Sequence, residues 1–153
     1  MPRLRQNTRR LRDRAVNSLL LAIELCNRPY ESGRVEAVPI LLQHAFEMVL
    51  KAKIWEEHRT TSERRSRVSY RFDKCLGIAR SDLSLLDEDE ARTFSTIDGL
   101  RDCAAHYLLE MSEEDLYLHV QAGVTLFGAL LERASAGTKG LGADQGRIAR
   151  ERA

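Results

Sequence analysis

The stretch LLQHAFEMVLKAKIW, residues 41–55, carries an apolar side chain at every third or fourth position. The stripe consists of Leu41, Ala45, Met48, Ala52 and Trp55. This spacing is typical of an amphipathic α-helix, because residues three and four apart lie on one face. It predicts a helix over residues 34–58, with Pro39 either in the first turn or at a kink after a short lead-in. We interpret Trp55 as a core or interface residue.

Apolar stripes on both sides of this stretch predict further helices. The first covers about residues 8–27 and ends before Pro29, because the residue before a proline resists the helical conformation. A short helix is expected over about residues 69–80. The intervening residues 59–68 have no apolar period and are predicted to form a basic, mobile loop.

Two capping patterns mark the starts of the last two helices. Asp87 is followed three residues later by Glu90, and Ser112 by Asp115. In each pair the first side chain can accept a hydrogen bond from the backbone of the second, which satisfies a free N–H at the helix start. The stripe behind Ser112 ends near Ala134.

The fold class follows from the number and spacing of these helices. Four long helices and one short helix, joined mostly by short connections, predict an all-α fold: an up-and-down four-helix bundle with one extra short helix. No alternating apolar and polar run is long enough to indicate a sheet. We expect one domain over residues 1–134, with an arginine-rich lead-in at 1–8, followed by a flexible glycine-rich tail at 135–153.

Composition narrows the class of protein. The apolar run at residues 19–23 is interrupted by Glu24 and is far shorter than the roughly 20 residues that span a membrane. A soluble, cytoplasmic protein is therefore expected. The three cysteines are widely spaced, which indicates neither a disulfide framework nor a zinc site. Since no histidine has metal-ligand spacing, we expect neither metal nor cofactor, and we interpret His44 as a satisfied bundle residue.

The formal net charge is only +1, but the charge is unevenly distributed. One arginine-rich run covers residues 3–14 and a second covers residues 59–74. Such clusters can bind the phosphates of nucleic acid, although solvated helix faces and a loop would carry the same charges. The candidate nucleic-acid-binding residues in the second run are Arg64, Arg65, Arg67 and Arg71.

Arg101 and His106 combine a permanent cation with a side chain that titrates near neutral pH. Five residues of α-helix separate two positions by about 140° around the axis and about 7.5 Å along it. The two side chains can therefore converge if the helix loosens near Tyr107, or if a second copy of the chain supplies the other half. The alternative is a surface arginine paired with Asp98 or Asp102 and a histidine favoured by the helix dipole.

The stretch IDGLRDCAAHY, residues 97–107, resembles the signature of the HEPN superfamily, in which a polar residue follows an arginine and a histidine comes after four to six intervening positions. AFEMVLKA, residues 45–52, resembles the segment of the second helix in that superfamily. Residues 25–29, followed by 34–36, look like a HEPN-like domain-of-unknown-function family of bacterial proteins. The resemblance covers about residues 16–131 and implies an all-helical bundle.

This resemblance also implies a function. HEPN ribonucleases are metal-independent endoribonucleases in which the ribose 2′-hydroxyl attacks the adjacent phosphodiester. His106 would act as general acid or base, and Arg101 would hold the scissile phosphate. Asp102 occupies the polar position, where asparagine is commoner in the family, and would orient Arg101 or His106. Glu47 and Tyr107 would be supporting residues.

The implied partners are RNA, a second copy of the chain in a homodimer, and an antitoxin or defence-system protein. Two other functions remain open at this point. One is a module of the same fold that binds RNA or a nucleotide without cutting it. The other is a structural helical adaptor that docks a larger protein.

Overall fold

The computed structural model describes residues 2–29, 32–58, 60–62, 69–106 and 110–151. Within these ranges the chain forms five α-helices and no β-strand beyond one isolated bridge. The helices are α1 (Pro2–Asn27), α2 (Arg34–His58), α3 (Phe72–Ser81), α4 (Glu88–Ala105) and α5 (Glu113–Glu151). The predicted all-α bundle is therefore confirmed, and the predicted bounds of α2 match those observed.

The ends of α1 and α5 extend beyond the apolar stripes that predicted them. The lead-in is helical from Pro2 on, and α5 is helical to Glu151, past Ala134. Elongating an existing helix adds one hydrogen bond per residue without a new nucleation cost, so a helix can outlast its apolar stripe. The backbone of residues 135–151 is thus helical, whereas the flexibility expected of this tail stays a prediction.

Both predicted helix starts have capping hydrogen bonds. Asp87 Oδ1 accepts from the Glu90 N–H at 2.8 Å, and Glu90 Oε1 accepts from the Asp87 N–H at 3.2 Å. Ser112 Oγ accepts from the Asp115 N–H at 3.1 Å. Pro39 lies inside α2 beyond its first turn, so the first of its two predicted placements is wrong. The proline has no N–H to donate to the backbone carbonyl four residues earlier.

Aromatic rings in the core show how the long helices pack. The Phe46 ring of α2 meets the Phe94 ring of α4 edge-on, with centroids 4.4 Å apart, and the Phe127 ring of α5 at 5.9 Å. Phe46 and Phe94 are fully buried. Phe72 brings the short α3 against Phe94, with centroids 6.4 Å apart. The core therefore joins α2, α3, α4 and α5 around one aromatic cluster.

Polar contacts fix the directions of the helices. Ser18 of α1 lies 2.7 Å from His44 of α2, whereas the later Leu25 of α1 contacts the earlier Arg34 of α2, so these helices are antiparallel. The contact also confirms His44 as a satisfied bundle residue. Alternating directions place the C-termini of α1 and α4 beside the N-termini of α2 and α5. We call this the Arg34 end and the opposite one the Trp55 end.

Arg34 holds the Arg34 end together. Its side chain lies at the start of α2, and the residue is only 8% exposed. Its guanidinium donates from Nε to the Leu25 carbonyl of α1 at 3.1 Å, and from Nη2 to the Arg28 carbonyl. Nη1 contacts Glu113 Oε1 of α5 at 2.6 Å. One side chain therefore satisfies carbonyls at the end of α1 and ties α5 to them.

Replacing Arg34 with Met should lower the free energy of unfolding by about 2–4 kcal/mol, because carbonyls in a partly buried site lose their donor. Urea unfolding followed by circular dichroism measures this loss. Glu113→Gln is the control, since it weakens one partly exposed ion pair and should cost less than about 1 kcal/mol. Equal losses in both variants would show that Arg34 acts only through the ion pair.

Candidate functional site

The last turn of α4 is exposed on most of its surface. The side chains of Phe94, Ile97 and Ala104 are buried, whereas Arg101 and His106 are exposed. Asp102, Cys103 and Ala105 are exposed as well. Both candidate catalytic residues therefore lie on an accessible helix end at the Arg34 end of the bundle.

The helix α4 ends at Ala105, and His106 is its C-cap residue, with φ −100° and ψ 11°. The backbone N–H of His106 donates to the Asp102 carbonyl at 3.2 Å, which is the bond between residues four apart in an α-helix. The same N–H also contacts the Ala104 carbonyl, and the backbone angles of His106 have left the helical region. An ideal helix would separate Arg101 and His106 by about 140° around its axis. Loosening near Tyr107, the first of the two routes to convergence, stays a prediction. Tyr107 lies outside the described residues.

The Arg101 guanidinium is held by its neighbour. Arg101 Nη1 lies 2.9 Å from Asp102 Oδ1, and the two side chains are 44% and 59% exposed. From the sequence, a surface arginine paired with Asp98 or Asp102 is the alternative to a catalytic site. In the structure Arg101 is paired with Asp102. Exposed ion pairs of this kind contribute only about 0–1 kcal/mol. A phosphate that offers two oxygens to the guanidinium can therefore displace the carboxylate.

Asp98 links this helix end to the interior. Gln43 Nε2 of α2 donates to Asp98 Oδ1 at 3.4 Å. Burial raises the pKa of the Asp98 carboxyl above its ordinary value, and the Asp102 charge adds to the shift. The charge of Arg101 and the Gln43 hydrogen bond act in the opposite direction. A second carboxylate thus contributes to the potential at Arg101.

Glu47 lies beside this group but has a different contact. It follows Gln43 by one turn on the same face of α2, and its Oε1 lies 2.7 Å from Lys51 Nζ. The Lys51 side chain is 9% exposed and that of Glu47 21%. Glu47 and Lys51 therefore form an ion pair between residues four apart on α2, while the supporting role of Glu47 in catalysis stays a prediction.

The remaining candidates divide into described and undescribed residues. Arg71 is exposed and precedes α3, directly after Tyr70, whose N–H donates to the Thr61 carbonyl at 2.7 Å. Arg64, Arg65 and Arg67 lie outside the described residues, as does most of the predicted mobile loop. The sequence did not identify Gln43 as part of the site. The only indication in the sequence that Gln43 belongs to the site was its position one helical turn before Glu47.

No three histidine, cysteine or acidic side chains among the described residues group as ligands for a metal. All three cysteines are free, and burial raises the pKa of the Cys75 thiol to about 11. Within the described ranges, no helix combines the length and apolar character needed to cross a membrane.

A long groove of about 1030 Å³ runs beside α5, away from Arg101. At one end it is lined by Tyr117 and Leu118, and at the other by Asp89 and Thr93, near the start of α4. Tyr117 and Leu118 are more than half exposed. The groove lacks the combination of arginine and histidine that phosphodiester chemistry would use.

Comparison with known proteins places the chain in a family. The model of the family described as a domain of unknown function, DUF3644, matches residues 10–138. Since the match covers most of the bundle, the chain belongs to this family. Searches of curated proteins and of solved structures found no match. The resemblance to the HEPN superfamily stays a prediction.

Asp98→Asn should stabilise the protein at neutral pH and leave its stability unchanged at low pH. The raised pKa means that the folded state binds the Asp98 proton more tightly than the unfolded state, so stability falls as the pH rises through this range. Asparagine keeps the oxygen that accepts from Gln43 and removes the charge. Urea midpoints measured from pH 3 to pH 8 test this.

The exposed Glu24→Gln is the control for this series. A gain for Asp98→Asn that is equally large at low and neutral pH would contradict the role of the buried charge.

Proposed function

We propose that the chain is a metal-independent endoribonuclease of the HEPN type, with a site formed by Arg101 and His106 at a homodimer interface. The observation that carries this proposal is the exposed last turn of α4. It presents two exposed side chains, Arg101 in the last turn of the helix and His106 at its C-cap. Neither side chain is covered by another helix of the same copy among the described residues.

The chemistry suits the two side chains. Imidazole can accept the proton of the ribose 2′-hydroxyl, or give a proton to the departing 5′-oxygen, because it titrates near neutral pH. The 2′-oxygen bonds to phosphorus as the bond to the 5′-oxygen breaks, which leaves a 2′,3′-cyclic phosphate and a 5′-hydroxyl. The guanidinium of Arg101 stabilises the charge on the phosphate oxygens.

A second copy of the chain completes the proposed site. A two-fold axis beside the last turn of α4 brings Arg101 of one copy towards His106 of the other and repeats the arrangement once. Two arginines and two histidines then share one cleft. The hydrogen bond from the His106 N–H to the Asp102 carbonyl supports this route, because an ideal helical turn separates the two side chains of one copy by about 140°.

The biological setting belongs to the proposal as well. By resemblance to HEPN proteins, the enzyme works in the bacterial cytoplasm in a defence or toxin–antitoxin system. An antitoxin or another protein of that system is the proposed protein partner. Asp102 orients Arg101, Glu47 is a supporting residue, and the basic loop after α2 contacts the RNA through its phosphates.

Arg101→Ala and His106→Ala should each lower the rate of RNA cleavage at least about 100-fold, as expected when a general acid–base or phosphate-binding group is removed. The assay uses purified protein in EDTA and identifies the ends of the products. The control is Arg92→Ala, which removes an exposed, ion-paired arginine from the same helix. If both site variants still cleave RNA at the wild-type rate, the proposed catalytic roles of Arg101 and His106 are refuted.

Mixing the two inactive variants tests whether the site is shared. A mixed dimer keeps one site with Arg101 from one copy and His106 from the other. Random exchange of subunits should therefore restore about a quarter of the wild-type rate. No recovery in confirmed mixed dimers would place both side chains of each site in one copy. RNA binding without turnover would favour the non-catalytic module, and loss of both would favour the adaptor.

Asp102→Asn should tighten RNA binding about two- to fivefold, because it releases Arg101 from an exposed ion pair worth less than about 1 kcal/mol. Fluorescence anisotropy at fixed low ionic strength measures the change. Asp89→Asn is the matched control, since it breaks another exposed aspartate–arginine pair in α4. If both variants bind RNA more tightly by the same factor, the gain comes from the change in net charge and not from the release of Arg101.

A further inference from the structure

A small cavity at the Trp55 end combines cations with an aromatic ring. Its volume is about 270 Å³, and it lies between the first half of α1 and the end of α2. The lining residues are Asn7, Arg10, Leu11, Arg14, Trp55 and Thr61. The cavity thus offers two guanidinium groups, one amide, one hydroxyl and one indole within a single recess.

The two arginines are available to a ligand. Arg10 and Arg14 are one helical turn apart on α1, and both are exposed. Among the described residues, neither guanidinium has a hydrogen bond or an ion pair, whereas Arg92, Arg101 and Arg133 each contact a carboxylate. In residues 2–23 of the sequence, Asp13 is the sole acid. The recess therefore has an excess of positive charge.

Trp55 supplies the aromatic ring of the cavity. Its indole N–H is buried and has no hydrogen-bond acceptor among the described residues. Because this N–H is closed to solvent, a ligand in the cavity would contact the indole ring and not the N–H. The partly buried ring also lines the cavity. Aromatic rings in basic recesses stack on nucleic-acid bases with little sequence preference.

The basic loop begins beside the same recess. Thr61 lines the cavity, and Ser62 and Ser69 pair in an isolated antiparallel bridge that brings the two ends of the loop together. The six residues between them include Arg64, Arg65 and Arg67. Three more arginines are therefore attached to the chain within a few residues of the cavity.

We infer that this cavity is a second RNA-contact site, in which Arg10 and Arg14 hold backbone phosphates of a single strand and Trp55 contacts a neighbouring base. The site is distinct from Arg101 and His106. Gln43, level with Asp98 of the catalytic helix, precedes Trp55 by twelve residues, about 18 Å along α2. The inference rests on the proposed RNA substrate and assigns it an additional holding point away from the scissile bond.

Trp55 is the only tryptophan in the chain, so its fluorescence reports directly on this cavity. The probe is a 2′-O-methyl oligouridylate of about 12 nucleotides, within the range of known single-strand site sizes. The wild-type protein cannot cleave this probe by 2′-hydroxyl attack. Titration should quench Trp55 emission. The double variant Arg10→Gln/Arg14→Gln should weaken binding at least about tenfold and reduce the salt slope by about 1.4, the value for two phosphate contacts.

The control is Arg9→Gln/Arg12→Gln, which removes two charges from the same helix at positions that do not line the cavity. It should change affinity less than about threefold and retain the quenching. Circular dichroism checks that both variants keep the fold. Equal losses in the two double variants would overturn the inference. Binding without a change in Trp55 emission would do the same, as would uridine monophosphate binding as tightly as the oligonucleotide.

Failure here can be told apart from failure of the proposed enzyme. Cleavage of a dinucleotide should be unchanged in Arg10→Gln/Arg14→Gln, because so short a substrate does not reach both ends of the bundle. Wild-type cleavage without quenching would overturn this site alone. Quenching without cleavage in any assay would overturn the enzyme and leave the RNA-contact site supported.

Discussion

The contacts of one buried guanidinium organise the end of the bundle that carries the candidate site. Arg34 begins α2, and its side chain donates to carbonyls at the end of α1 while contacting Glu113 at the start of α5. Three helix ends are thereby fixed relative to one another. The last turn of α4 lies at this same end without comparable coverage. Of its described residues from Arg101 to His106, only Ala104 is buried.

The fold could be predicted well because its signals are local. The apolar stripe of α2 and the cap at Asp87 depend on residues three or four apart. Such spacings can be read from the sequence without knowing which helices pack together. Helix length beyond the stripe was less predictable. Residues 135–151 continue α5 without the apolar stripe on which the prediction depended. Pro39 was also ambiguous, because its effect depends on how α2 begins.

The candidate site was only partly predictable, because its contacts cross between helices. The sequence identified Arg101 and His106 by type and spacing, and it named Asp102 as one possible partner for the arginine. It could not find the hydrogen bond between Gln43 and Asp98, which are 55 residues apart. The same applies to the cavity at Trp55. In the sequence, Arg10 and Arg14 belong to a general basic run. Only the packing of α1 on α2 shows that they lie beside the indole of Trp55.

The proposed division of the site between two copies has a consequence for how much protein is needed. On an ideal helix Arg101 and His106 lie about 140° apart, so the proposed site is incomplete in a monomer. When the chain is scarce, the number of complete proposed sites would rise with the square of its concentration. The rates at which the chain is made and degraded would then control the proposed activity more steeply than they control the amount of protein.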